Sequence, residues 1–255
     1  MSDEANRAES EAVGAEFIPW KRAPSRLDRT RHTDVCRDWE APGPDGLKRW
    51  IDGVFCGPSL AFAQDIMDEL QRRPADLVIA VDLLPGVGVG CEAMGQKYAW
   101  LGCNPLFAPV PGSVPMGMGL RPARSAEERA QHAQMQDMVT GLFDHGLPAV
   151  NSARVALGLK PLEHVFDQIW NADRILMASA RAFDFNAEFM PEKVTYVGPL
   201  LGASSWMQEW ISPWAADDAR PLIVTSFSTT FQDHAGALQR VIDAAADLPV
   251  RHLVT

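Results

Sequence analysis

The sequence predicts an α/β protein whose sheet is mostly parallel. Short apolar runs at residues 75–81, 98–102, 174–179 and 193–197 alternate with stretches of helical spacing, which is the order that strand–helix units write into a chain. The run at 75–81 is apolar almost throughout, as expected of a strand covered by helices on both faces. A third sign closes the chain, where residues 220–255 read as strand, hydroxyl-rich turn, helix and second strand. That is the opening of a βαβ unit, and two parallel strands are too few to form an independently stable sheet.

The elements follow in order. Residues 1–14 read as the tail of a helix ending at Gly14, and 15–20 as a short strand. Residues 30–50 are polar and rich in Pro and Gly, the composition of an irregular loop. From 51 to 73 the apolar positions Leu60, Phe62, Ile66, Met67 and Leu70 have helical spacing, and Pro74 ends the run. Strand 75–81 follows, with Asp82 at its carboxyl end, then a helix over 86–95 and a strand over 98–102. Residues 104–124 form a long loop rich in Pro, Gly and Met, and loops of this length inside a domain usually carry function or move. Ser125 and Glu128 fit a capping box that starts a helix running to about His145. Asn151 can cap a short helix closed by Gly158, and Pro161 can open another through Asn171. After the strands at 174–179 and 193–197, residues 198–220 carry Trp206, Trp210 and Trp214 among Ser, Pro and Asp. These indoles suit pinning a linker against its neighbours, with ligand stacking as the alternative.

Composition narrows the partners. The 255 residues carry a formal charge of −10, which repels a phosphate backbone and makes nucleic acid an unsuitable main partner. The densest basic cluster, Lys21, Arg22, Arg26, Arg29 and Arg31, is interleaved with acids and reads as a solvated loop. The four cysteines, Cys36, Cys56, Cys91 and Cys103, are widely spaced without a C-x-x-C pair, so reduced thiols are expected. The acidic start has no apolar signal region and no run suits a membrane span, so the expected compartment is the cytoplasm.

Four constellations could carry chemistry. Asp82 stands where open α/β sheets bind ligands, and could orient a histidine acting as general base or simply cap the next helix. None of the six histidines has an obvious pairing with it. Gly88, Gly90 and Ala93 formally match a dinucleotide motif. The intervening residues after the strand and the missing acid downstream favour tight helix packing instead. Ser228, Thr229 and Thr230 lie in a strand-to-helix turn suited to an anion such as a phosphate, or to capping. Met116 and Met118, in the Gly-Pro loop with Phe107, are candidates for an apolar ligand wall.

Several of these segments together resemble bacterial glycosyltransferases of the two-Rossmann-domain GT-B architecture, of the type that glycosylates macrolides and polyketides. The matching text is at 14–20, 74–82, 111–119, 182–185, 196–200, 226–232 and 248–255. The resemblance implies a Rossmann-like acceptor domain over 1–200, a Trp-rich linker over 201–219 and the first βαβ unit of the donor domain over 220–255. It implies metal-independent, inverting transfer of a hexose from a nucleotide diphosphate sugar, as co-substrate and without a cofactor, to a hydroxyl of a lipophilic acceptor. Asp82 matches the aspartate that steadies the base histidine, whose loop would precede residue 1. Ser228, Thr229 and Thr230 match the donor diphosphate turn, with Ser228 where many relatives have glycine. Phe107, Met116 and Met118 fall to the acceptor side. The expectation is a chain incomplete at both ends that transfers little or no sugar alone. A non-catalytic acceptor-domain module that binds a small molecule or a partner protein is the alternative.

Overall fold

Four short runs of β-branched, aromatic and long aliphatic residues pair side by side in chain order, all parallel, in a computed structural model that describes residues 1–41, 43–106, 108–184, 190–202, 210–227 and 233–255. Strand β1 (Val78–Val81) pairs with β2 (Tyr98–Gly102), β2 with β3 (Arg174–Met177), and β3 with β4 (Val194–Tyr196). A second, two-stranded parallel sheet joins β5 (Leu222–Thr225) to β6 (Arg251–Val254) through a helix at Ala235–Ala245. The expected α/β class and both parallel arrangements are present. No helix among the described residues is long and apolar enough to cross a membrane.

Eight α-helices are present among the described residues. In chain order they are α1 (Arg7–Ala12), α2 (Pro44–Trp50), α3 (Ser59–Arg72), α4 (Pro85–Met94), α5 (Ala126–Phe143), α6 (Leu147–Ala156), α7 (Asp167–Trp170) and α8, the Ala235–Ala245 helix above. Their ends follow local rules. Gly95 takes a left-handed φ of 65° to close α4. Ser125 accepts the amide of Glu128 at the start of α5, while the Glu128 carboxylate takes the amide of Arg124, one residue before the cap. The core gathers Trp100, Phe55, Phe166, Ile175 and Met177, each no more than 2% exposed. Trp50 stacks on Phe55 at 4.9 Å and meets Phe143 edge-on at 6.4 Å, geometries that aromatic quadrupoles favour.

Some expectations need correction. Residues 15–20 form no strand; the segment makes a single bridge, Ser2 to Pro19. The span 30–50 is not wholly irregular, since Pro44 opens α2 from the first-turn position where a missing N–H is harmless. The helix expected over 51–73 is interrupted: a wide turn at Ile51–Phe55 ends before α3, because Pro58 restricts Gly57 and cannot continue the hydrogen-bond ladder. Asn151 lies inside α6 rather than at its cap. Its amide instead ties the helix to Leu162 through two hydrogen bonds of 3.0 and 2.8 Å. The helix expected from Pro161 is only the single turn α7. Strand β1 is an edge strand, so Ile79 is 55% exposed rather than buried. In the expected linker, Trp210 is 58% exposed and meets Trp214, which is half-buried, at 6.4 Å; Trp206 lies outside the described residues.

Two buried polar groups hold the frame around the sheet. Asp65, on α3, accepts the amides of Lys21, Arg22 and Ala23 and the Arg22 guanidinium. Burial alone would raise its pKa, but these four hydrogen bonds outweigh burial and lower it. Arg154, on α6, donates to Glu92 on α4 at 3.0 Å, to Gln168 on α7 at 2.6 Å and to the carbonyl of Lys160. A buried guanidinium satisfied in this way locks three helices together. The basic cluster near the start is likewise engaged locally, with Arg22 on Asp65 and Asp68, Arg26 on Asp34 and Arg29 on Glu9.

Candidate functional site

Parallel strands aim their carboxyl ends at one edge of the sheet, and here that edge opens on a cavity of about 580 Å³. Leu83 follows β1 into it, and residues from Asn104 to Leu120, the loop after β2, supply most of the wall. Trp50 from α2, Phe143 from α5, Asp184 and Met190 between β3 and β4, and Tyr196 at the end of β4 are the other described lining residues. Pro and Gly make this wall possible: Gly112, Gly117 and Gly119 all take positive φ, so the loop curls without regular structure. The lining is mostly apolar, with Asn104, Ser113, Asp184 and Tyr196 as its polar points. Small-molecule sites commonly have this make-up, an apolar body with a few placed polar groups.

Tyr196 donates its hydroxyl to Asp184 at 2.7 Å, and the same carboxylate oxygen accepts the amide of Leu106 at 3.1 Å. Burial first, and then the bond to Asp184, raise the Tyr196 pKa, so its hydroxyl stays protonated. The pair ties the loop after β2 to the segment after β3 and to the end of β4.

Asp82 stands at the carboxyl end of β1 and is 2% exposed. Its Oδ1 has no hydrogen-bond partner among the described residues. Burial pushes its pKa from 3.8 up to about 6, its own backbone amide offsetting part of the rise. The capping alternative is not realised, because Leu84 is the N-cap of α4 and makes no side-chain cap. Among the described residues no histidine hydrogen-bonds to Asp82 Oδ1. His145 pairs with Asp52, His164 with Asp144, and His252 with Thr225.

No protein-family model matches the chain. Over 248 residues it is 23% identical to the 4'-demethylrebeccamycin synthase of Lentzea aerocolonigenes, covering 95% of this chain and 58% of that protein. Among solved structures it is similar to the glycotransferase of kitacinnamycin, with a TM-score of 0.65 and 12% identity over 99% of this chain and 56% of the other. It is also similar to the calicheamicin glycosyltransferase CalG4, with a TM-score of 0.56 and 15% identity over 98% of this chain and 54% of the other. The fold is that of GT-B glycosyltransferases. The chain spans a little over half the length of these relatives.

Within this GT-B frame the residues singled out from the sequence are placed unevenly. Met116 lines the cavity; Met118, 40% exposed, is not among its lining residues. Phe107 lies outside the described residues, as do Ser228, Thr229 and Thr230. The glycines of α4 are packing residues. A Cβ on Gly88 would stand 2.7 Å from the Trp100 ring, and one on Gly90 2.7 Å from the carbonyl oxygen of Ala63. Trp50, Asn104, Phe143, Asp184 and Tyr196 were not singled out as site residues. Asp184 and Tyr196 nonetheless fall in two of the segments that carry the resemblance, which was the available signal.

Proposed function

We propose that the chain is the acceptor-binding part of a glycosyltransferase, residues 1–200, followed by a linker at 201–219 and the first unit of a donor domain at 220–255. The reaction is metal-independent, inverting transfer of a hexose from a nucleotide diphosphate sugar to a hydroxyl of a lipophilic acceptor. One observation carries this reading: a mostly apolar 580 Å³ cavity at the carboxyl ends of the parallel strands, in a chain with the GT-B fold. Met116, Trp50 and Phe143 suit the acceptor's apolar body.

The chemistry requires the acceptor O–H to give its proton to a base as its oxygen attacks the anomeric carbon, while the nucleoside diphosphate leaves with the electrons of the broken C–O bond. Asp82 suits the supporting carboxylate in that scheme, since its buried Oδ1 has no partner among the described residues and a base placed there would supply one. Ser228, Thr229 and Thr230 are assigned to the donor diphosphate by the sequence resemblance alone. Phe107 and Met118 join the acceptor side on the same ground.

The test incubates the purified chain with a panel of nucleotide sugars and lipophilic phenols or macrolides, followed by mass spectrometry. Acceptor binding with little or no multiple-turnover product is expected from a chain in which no described histidine hydrogen-bonds to Asp82 Oδ1. Multiple-turnover product would overturn that expectation, and absence of any acceptor binding would overturn the assignment of the cavity. A second reading, a non-catalytic acceptor-binding module, is favoured by the fact that, among the described residues, every lining residue lies at or before Tyr196 and none comes from the described part of 220–255.

A further inference from the structure

We infer that Asp184 sets the charge class of the molecule held in the cavity, admitting acceptors with a neutral donor group or a protonated amine and excluding those with a carboxylate. The inference rests on the cavity being the acceptor site. Two features of the lining carry it. Asp184 is the only carboxylate among the described lining residues, and no Lys, Arg or His is among them. A carboxylate entering this apolar volume would lose its water and meet no cation among the described lining residues, a combination that costs more than desolvation alone.

The Asp184 carboxylate is itself held in place. Its Oδ2 accepts from Tyr196 and from the Leu106 amide, so it cannot swing away to relieve repulsion. Arg181, three residues earlier, lies near enough to lower the Tyr196 pKa, but it is exposed and does not line the cavity. Its charge therefore acts through more solvent than that of Asp184.

The discriminating experiment uses three probes with one apolar body: 9-(aminomethyl)anthracene, 9-(hydroxymethyl)anthracene and anthracene-9-carboxylate, titrated against the full chain at pH 7 by fluorescence anisotropy. The carboxylate is expected to bind at least about tenfold more weakly than the amine, with the alcohol between. Asp184→Asn should bring the three affinities within about threefold of one another while leaving the alcohol nearly unchanged. If Asp184→Asn does not fold, Tyr196→Phe provides the second arm. Loss of its hydroxyl leaves the carboxylate less neutralised, and the preference for amine over carboxylate should widen. Equal binding of all three probes to the native chain, or a preference that neither variant moves, would overturn the inference and leave the acceptor cavity standing. If none of the three binds, the cavity assignment itself fails, and the inference with it.

Discussion

Asp82 carries the sharpest consequence at the scale of single residues. Its folded pKa, about 6, lies above the ordinary 3.8 because the charged form is buried without a partner for Oδ1 among the described residues. The folded state therefore holds a proton that the unfolded state has released between about pH 4 and 6, and stability falls as pH rises through that window. The full difference is about 3 kcal/mol, present below the window and lost above it. Replacing Asp82 by Asn should remove this slope, so that urea midpoints of the variant and the native chain converge at acid pH and diverge in favour of the variant above about pH 6. Parallel midpoints across the range would show that Oδ1 is stabilised by something else. Asp65 shows the opposite case: a buried carboxylate with three amides and a guanidinium around it needs no further partner.

Among the elements, the interface between α3 and α4 decides how closely a helix can lie on its neighbour. Gly90 faces the Ala63 backbone so closely that a methyl group would stand 2.7 Å from its carbonyl oxygen, and a backbone atom cannot step aside as a side-chain tip can. Gly90→Ala should therefore lose about 1–3 kcal/mol even though alanine is the better helix former. Gly141 in α5 is the control. Nothing lies within 4 Å of its added methyl, and Gly141→Ala should gain about 0.5–1 kcal/mol. Denaturant midpoints of the two variants test both signs at once, and a stabilised Gly90→Ala would remove the packing explanation for this run of glycines. Strand β1 shows what an uncovered edge looks like, with Ile79 and Val81, and Leu77 just before the strand, all partly open to solvent.

Burial is unevenly divided over the whole molecule. The core residues fall between Ala23 and Met177, whereas β5, α8 and β6 contain no buried residue. Leu222, Ile223 and Val224 are 46%, 39% and 57% exposed. Opening free energies follow apolar burial, so the amides of 222–225 and 251–254 should exchange with deuterium far faster than those of β2 and α3. Equal protection of the two sheets by hydrogen-exchange mass spectrometry would mean that the smaller unit is covered in solution by surface that the exposures do not reveal.

Much of the architecture was legible because it is written locally. The runs that became β2, β3 and β5, the Ser125 cap and the Gly95 stop depend on neighbours a few residues apart, and a sequence displays those directly. The acidic charge and the place of Asp82 at a strand end were equally open to reading. Tertiary structure alone decided that Asp82 is buried with no partner for Oδ1 among the described residues rather than capping α4, that the paired glycines pack on Trp100 and α3, and that Asp184, Tyr196, Trp50 and Phe143 converge on one cavity. Those outcomes depend on distances between residues far apart in the chain, such as the 78 positions separating Leu106 from Asp184. Local propensity carries no record of them, because close packing selects the partners only when the sheet brings its strand ends together.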